Sequence, residues 1–428
     1  MRTWLSGLTL AVLFAGCGSP ESVTGPTADA THDPAADASS TIDASLPGQT
    51  TVTRALSVGA GMAPNSGSLP RGTWRVQPAD IVDGQGFERP LVAYRVLVPV
   101  GWRAEGGVVW NVQNPCAGSD YAVRWSITAP DGVSVLAFVP QPKWRIVRSY
   151  LPIPMTRGPC EGPGWTNVQQ YLEGLAQQTF PRGRILDFRA RPDLARPVVE
   201  MLRQLPAMQS DLLQARQRAE AGEIMVATNV DGRETRDVIR AVVMFNETRM
   251  MDIMNPGRVG QETLDAVPLS VAFMRGPADG FDLRLADLVE RSMLQMSEWN
   301  NRVFEHNRRK QQAAFEAAIR AGNISQQQLQ AMNQAHQARM QALDANRQVN
   351  DRLYDQRSLS SDRQQREFVE AIRGVETYHE PVAGGVVQLD NTYQHAWRVR
   401  DGSYLLTDDP NFRPGLIGLE GQALRRVE

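Results

Sequence analysis

The chain has 428 residues, and its 45 lysines and arginines nearly balance its 47 aspartates and glutamates. This length allows two or three domains, and the near-neutral charge gives no indication of nucleic acid or another strongly charged partner. Beyond the N-terminal segment, no apolar run is long enough for a transmembrane helix.

The N-terminus carries the features of a secretory signal. Arg2 precedes a short apolar stretch, Leu8–Gly16, which is shorter than the ~20 residues that a membrane-spanning helix needs. The stretch Leu13-Phe14-Ala15-Gly16-Cys17 resembles the lipobox of bacterial lipoproteins. The resemblance implies that residues 1–16 are a removed signal peptide and that Cys17 bears acyl chains such as palmitate. An ordinary signal peptide, with Cys17 incidental, is the alternative.

Residues 17–70 have the composition of a tether. They are rich in Ala, Ser, Thr, Pro and Asp, and five acidic residues against Arg54 give a net charge of −4. Such a segment buries too little apolar surface to fold, so we expect a disordered acidic tether that spans about 40 Å. Gly18 follows the lipidation site, which favours the outer membrane. The protein would face the periplasm or the cell surface.

Residues 71–300 read as one folded unit. Short β-rich runs between Gly-Gly and Pro-Asp-Gly turns predict strands, and apolar spacing predicts helices. The order predicts an α+β fold, an antiparallel-sheet sandwich with helices. The predicted strands are 93–102, 106–112, 121–128, 133–140, 223–232, 237–246 and 267–276, and the predicted helices are 166–180, with Thr166 as N-cap, and 192–221.

The order of these elements, together with the opening strands VPVGW…GGVVW, resembles the PsbP-like fold over about residues 71–302. That fold hosts varied non-enzymatic roles, so the resemblance implies an architecture but no particular activity.

Cys116 and Cys160 remain once Cys17 is lipidated, and both lie in turns rich in proline and glycine. An even pair in an oxidising compartment predicts a disulfide. A redox pair or a metal site is the alternative, but the spacing is not Cys-x-x-Cys and no histidine is near in sequence. We therefore expect no metal and no cofactor.

A long helix is predicted from Leu283 to Ala321. Gly322 ends it, Ser325 with Gln328 forms a capping box, and alanines repeat at heptad spacing from Ala331 onward. We expect an antiparallel helical hairpin, a small coiled coil, over residues 301–360. It either binds an envelope protein or peptidoglycan, or packs on the α+β domain as a cover.

Residues 361–428 predict a short helix from Ser361 and then a β-hairpin. Asp401-Gly402 lies between HAWRVR and SYLLT and is the strongest hairpin signal in the chain.

Recognisable catalytic motifs do not occur in the sequence, and we assign no catalytic residue. The best enzymatic candidate is an acidic site of Asp408, Asp409 and His395, with Glu380 nearby, because adjacent carboxylates can share a proton or bind a cation. The alternative is turn chemistry, in which the aspartates accept bonds from backbone amides.

Tryptophan is concentrated in one stretch of the chain. These residues could stack on sugar rings if they were exposed, but we favour packing in the core. The stretch holds Trp102, Trp110, Trp125, Trp144 and Trp165.

The sequence thus favours a membrane-anchored envelope lipoprotein that acts as a non-enzymatic binding, scaffolding or assembly module. The alternative is an envelope hydrolase or glycan-binding protein that uses the C-terminal acidic residues or the tryptophans.

Overall fold

A computed structural model describes residues 69–70, 72–110, 113–150, 158–204, 213–252, 255, 257–320, 370, 374–381 and 384–427. In these ranges the helices are α1 (Val168–Thr179), α2 (Pro192–Gln204), α3 (Arg284–Ser292) and α4 (Ser297–Arg320), with one 3-10 turn at Pro414–Ile417. None of these helices is long and apolar enough to span a membrane.

Strands dominate the described residues. In chain order they are β1 (Trp74–Asp83), β2 (Leu91–Pro99), β3 (Arg103–Trp110), β4 (Tyr121–Thr128), β5 (Val135–Phe138), β6 (Trp144–Ser149), β7 (Arg184–Ala190), β8 (Leu213–Val230), β9 (Arg233–Met251), β10 (Val259–Pro277), β11 (Leu294–Gln295), β12 (Val375–His379), β13 (Val386–Asp390), β14 (His395–Val399), β15 (Tyr404–Thr407) and β16 (Gly421–Ala423).

The strands form three sheets in which every ladder is antiparallel. A six-stranded sheet has the order β11-β2-β1-β15-β14-β16, and β12 and β13 form a two-stranded sheet. An eight-stranded sheet has the order β3-β4-β5-β10-β9-β8-β7, and β6 pairs with the first half of β10. β8, β9 and β10 form a meander whose strands, at 18 or 19 residues, are about 60 Å long.

Two apolar cores hold these layers together. The larger core lies between the six-stranded and eight-stranded sheets, where Val96 and Leu406 meet Trp125 and Phe138, and α3 adds Leu288. The second core lies on the opposite face of the eight-stranded sheet, under α1. The arrangement is therefore sandwich-like, with α1 as an outer layer.

The predicted α+β class is wrong, because the described chain is mostly antiparallel β-structure. The main reason is the segment predicted as one helix over 192–221. The helix α2 ends at Gln204, and from Leu213 the chain is strand β8, paired with β9 along its whole length. Gln, Ala and Arg favour helices intrinsically, but a long strand partner outweighs that weak preference.

The long helix predicted from Leu283 is also interrupted. After α3, Met293 is extended, and Leu294 and Gln295 pair with β2 before α4 begins. Hydrogen bonds to the free edge of β2 replace those that a continuous helix would form there. No long helical hairpin is evident in the described residues. Its second arm falls in 321–360, outside the part of the chain that the structure describes.

The predicted C-terminal β-hairpin is confirmed: β14 pairs with β15, and Gly402 adopts a φ of 89° in the turn. Each of the other predicted strands overlaps an observed strand, and α1 lies inside the helix predicted over 166–180. Its N-cap is Asn167 rather than Thr166. The signal peptide, Cys17, almost all of the tether, and residues 361–369 of the predicted C-terminal helix lie outside the described residues.

Candidate functional site

The two candidate catalytic aspartates occupy a turn. Asp408 forms an ion pair with Arg284, at 3.1 Å between Oδ2 and Nη1, and accepts a hydrogen bond from the backbone of Gln394. Asp409 accepts a hydrogen bond from the backbone N–H of Asn411 at 2.9 Å. Both carboxylates therefore cap or brace the loop after β15, as the turn interpretation expects.

The other two candidate residues lie elsewhere. His395 opens β14 opposite Thr407. Glu380 is buried, accepts a hydrogen bond from the Tyr404 hydroxyl at 2.6 Å and pairs with Arg398 at 3.2 Å. No hydrogen bond or ion pair found among the described residues joins Asp408, Asp409, His395 and Glu380 to one another.

The tryptophans divide among separate packing clusters and do not form one exposed row. Trp125 lies in the core between the sheets, while Trp144 stacks on Tyr171 under α1, with centroids 4.8 Å apart. Trp165 meets Trp144 edge-on, and Trp110 packs against Tyr121 in a third cluster. Trp102 is partly buried beside the main core. Core packing therefore accounts for their places in the fold.

The predicted disulfide between Cys116 and Cys160 is present, with Cα atoms 5.4 Å apart. Both loops that it joins bind the region of strand β6. Lys143 donates its backbone N–H to the carbonyl of Cys116, and Arg145 donates to the carbonyl of Cys160, each at 2.8 Å. The disulfide therefore fastens the strand at this edge of the eight-stranded sheet.

A network of buried charges joins α3 to the middle of the eight-stranded sheet. Glu223 Oε2 accepts hydrogen bonds from Arg191 at 2.7 Å and from Arg240 at 2.8 Å. Asp287 Oδ1 accepts from the same two arginines at 3.0 and 2.8 Å. Two guanidinium groups and two carboxylates thus form a closed ring, and Glu290 adds a further bond to Arg240.

Burial perturbs the acids around this network. It raises the pKa of Glu290 above its ordinary value, although Arg240 opposes the shift. Burial likewise raises the pKa of Asp390, whose Oδ2 has no hydrogen-bond partner in the described structure. The paired charges come from a loop, two strands and a helix, so the network fixes the positions of these elements relative to one another. Its carboxylates are engaged by arginines and are not open to a substrate.

The first half of α4 is held on the sheets by a buried carboxylate. Asp83 is fully buried and accepts hydrogen bonds from the indole N–H groups of Trp110 and Trp299 and from the backbone of Gln85 and Gly86. Four N–H donors take the place of the water that solvates an exposed carboxylate, and so compensate the cost of burying its charge.

Farther along α4, His306 and Lys310 bind Asp120. Burial acts to raise the pKa of Asp120, but the hydrogen bonds from Lys310 and His306 outweigh it and lower the pKa. The second half of α4 is largely exposed, including Ala313, Ala314 and Ala317.

The surface that stands out is the far end of the long meander. We call residues 146–150, 213–217, 246–251 and 259–265 the distal end of the eight-stranded sheet. In the register of the four strands, Arg148, Glu262, Arg249 and Gln214 lie side by side in one row. The next row on the same face holds Ile146, Leu264, Glu247 and Arg216, since neighbours two apart along a strand share a face.

This face is charged; its arginines and its tyrosine are exposed, and its two glutamates are half-buried. We call it the distal arginine face, and it consists of Arg148, Tyr150, Arg216, Glu247, Arg249 and Glu262. Tyr150 is 59% exposed and donates its hydroxyl hydrogen to Glu262 at 2.9 Å. Arg249 also binds Glu262, at 2.9 Å. In the described residues, α1 begins beside Glu220, and the core beneath it reaches the distal end only at Ile146 and Leu264, which are partly buried against it.

The opposite side of the same strands carries no charge in its two outer rows, and the ion pair between Arg145 and Asp265 lies in the next row inward. One row contains Val147, Thr263, Thr248 and Ala215, and the next contains Ser149, Gln261, Met250 and Leu213. Met250 is 49% exposed. At its tip, the distal end therefore has arginine and tyrosine on one face and uncharged side chains on the other, and both faces lack a helix among the described residues.

Sequence reasoning missed this surface because it read the first half of β8 as helix. A usable signal was the alternation in LQARQRA, where Gln214 and Arg216 are exposed and Ala215 and Gln217 are half-buried. Alternation of this kind has a period of two and indicates a strand.

Within the described ranges, no cluster of His, Cys, Asp and Glu has an arrangement that could hold a metal ion. Comparison of the chain with protein-family models, with curated proteins and with solved structures gives no significant match. The resemblances to bacterial lipoproteins and to the PsbP-like fold stay predictions from the sequence.

Proposed function

We propose that the chain is a lipid-anchored envelope protein that acts as a non-enzymatic binding or assembly module. The distal arginine face is its contact surface. The anchor is Cys17, and the tether carries the folded part away from the membrane.

One observation carries this proposal: an extended sheet presents exposed Arg148, Tyr150, Arg216 and Arg249 on one face. Tyrosine, arginine and methionine are the residues that concentrate where proteins meet, because they combine contact area with directed hydrogen bonds. A sheet with strands about 60 Å long, whose far end carries no helix among the described residues, supports a role in contact with another molecule.

The contact surface is tested by photo-crosslinking in the native envelope. A photoreactive amino acid replaces Tyr150 in one variant and Gln169, an exposed residue of α1, in the matched control. The proposal expects a discrete crosslinked species from position 150 and none from position 169. The absence of any species at position 150, or the same species at both positions, would contradict it.

The anchor is tested separately. Cys17→Ser removes the sulfur that would carry an acyl chain. The protein is then expected to move from the membrane fraction to the soluble fraction, because no acyl chain holds it at the membrane once the signal peptide is cleaved. Unchanged partition with the membrane would show that Cys17 is not the attachment site.

A further inference from the structure

We infer that the distal arginine face binds an acidic protein surface, one that presents carboxylates at two separated points. This inference rests on the proposed function and names the chemistry of the partner.

The charged side chains of this face that lack an ion pair in the described residues are hydrogen-bond donors. Glu262 already accepts from Arg249 and Tyr150. Glu247 accepts from Arg218 at 2.9 Å. The acids of the face are thus engaged by groups of the same sheet.

Two arginines of the face are left over. Arg148 on β6 and Arg216 on β8 are both exposed, and neither side chain forms an ion pair or a hydrogen bond with another described residue. Each guanidinium group offers a planar fork of donors that matches a carboxylate. A partner that presents carboxylates can replace the water that accepts from these groups in the free protein.

The positions of the two arginines set the size of the partner. They lie on strands separated by β10 and β9, in adjacent rows of the same face. With strands about 4.8 Å apart, the two Cα atoms are about 15 Å from each other. One small carboxylic acid cannot reach both, whereas acidic side chains along a helix or on neighbouring strands can.

The remaining composition favours a protein over a simple polyanion. Tyr150 lies beside Arg148, and its ring is available because only its hydroxyl is engaged. An amphipathic ring offers contact area to another protein. The chain as a whole is nearly neutral, so the attraction is local to this face and does not come from a general positive field.

The probe is a fluorescent poly-L-glutamate peptide, titrated against the detergent-solubilised full-length protein at low salt. The test variant is Arg148→Glu with Arg216→Glu. The control is Arg184→Glu with Arg189→Glu, which reverses two exposed arginines of β7 in the same sheet. We expect about a tenfold or larger loss of affinity for the test variant, little change for the control, and weakening of native binding as salt rises.

Two results of this titration would overturn the inference. An equal loss in both variants would mean that net charge alone matters. Binding of inorganic polyphosphate that matches or exceeds that of poly-L-glutamate would mean that the face attracts any polyanion.

The photo-crosslinking experiment separates this inference from the proposed function. If the species crosslinked through position 150 persists undiminished in the Arg148→Glu, Arg216→Glu variant, the surface is a contact surface but its partner is not chosen by acidity. If the species disappears in that variant and persists in the β7 control, both the function and the inference are supported.

Discussion

The two ends of the long meander are built from the same three strands but are stabilised by different means. At the end where β8 and β9 join, Ile224 and Ile239 face α1 while Arg240 faces α3, so both surfaces of the sheet are covered. At the distal end, side chains of both faces meet solvent or are only half-buried, and the disulfide fastens the outer strand β6. Stability is concentrated where the layers pack on one another. The proposed contact surface lies where the strands are still paired but no helix covers them among the described residues.

The largest expected effect is at the covered end. Arg240→Met keeps much of the side-chain length but leaves Glu223, Asp287 and Glu290 without one of their donors. Breaking a buried ion network in this way costs about 3–5 kcal/mol of unfolding free energy. Urea denaturation of the purified protein measures it. A cost below about 1 kcal/mol would show that the network does not fix α3 on the sheet.

The next largest effect concerns the disulfide, which holds the outer strand at the distal end. Replacing Cys116 and Cys160 together by alanine removes a link between residues 44 positions apart, which is worth about 2–4 kcal/mol. Hydrogen exchange should then accelerate first at the amides of Trp144–Ser149, while Ile239 keeps its protection. Reductant should change the native protein and leave the double variant unaffected. Uniform acceleration along β9 would argue against separate stabilisation of the two ends.

The dependence of unfolding free energy on pH distinguishes the two ends, because the buried acid Glu290 belongs to the network at the covered end. Because burial raises the pKa of Glu290 in the folded protein, its carboxyl holds a proton more readily when folded than when unfolded. The free energy of unfolding therefore falls as pH rises from about 4.3, the ordinary glutamate value, through the raised folded-state value. Glu290→Gln lacks this contribution, so its stability relative to the native protein should rise across that window and then level off.

The matched control for the pH scan is Thr248→Ala at the distal end, which removes no titratable group. It should keep the native dependence of stability on pH. If Glu290→Gln also kept the native dependence, the position of Glu290 in the buried network would not affect its titration.

The smallest expected effect comes from an arginine-to-methionine substitution at the exposed end of β9, the strand that also carries Arg240. Arg249→Met removes an ion pair to Glu262 in which the arginine is 60% exposed, and exposed pairs are worth about 0.2–1 kcal/mol. We expect a change in unfolding free energy near the lower limit, measured as for Arg240→Met. If the two variants were equally destabilised, the contrast between the ends of the meander would be lost.

Much of the β-structure could be predicted from the sequence because its signals are local. Asp401-Gly402 fixes a tight hairpin, and alternating Val, Ile and Phe residues mark the middle of β9 and β10. The sequence does not reveal that β8 begins as early as Leu213, because Gln, Ala and Arg also suit a helix. The continuation to Val230 depends on pairing with β9, a long-range contact that propensity does not report.

The candidate site was less accessible to prediction. The sequence leaves Asp408 and Asp409 open to two interpretations, a turn or an acidic site, because the ion pair between Asp408 and Arg284 joins residues distant in the chain. The distal arginine face combines residues from four strands, β6, β8, β9 and β10. Its members become neighbours only through register, so no single stretch of sequence contains the pattern.

The pairing of β1 with β15 has a consequence for the order in which the protein acquires its structure. Val76 lies opposite Tyr404, and the Thr73 and Thr407 hydroxyls, 334 positions apart in the chain, form a hydrogen bond of 2.9 Å. A ribosome or a translocon delivers the chain from its N-terminus, so one edge of β1 stays unpaired until β15 has emerged. The meander of β8, β9 and β10 closes through nearby turns and can form early, whereas the central ladder of the six-stranded sheet closes last. Newly made protein is thus expected to be most exposed to misfolding and proteolysis at β1, a strand outside the proposed contact surface.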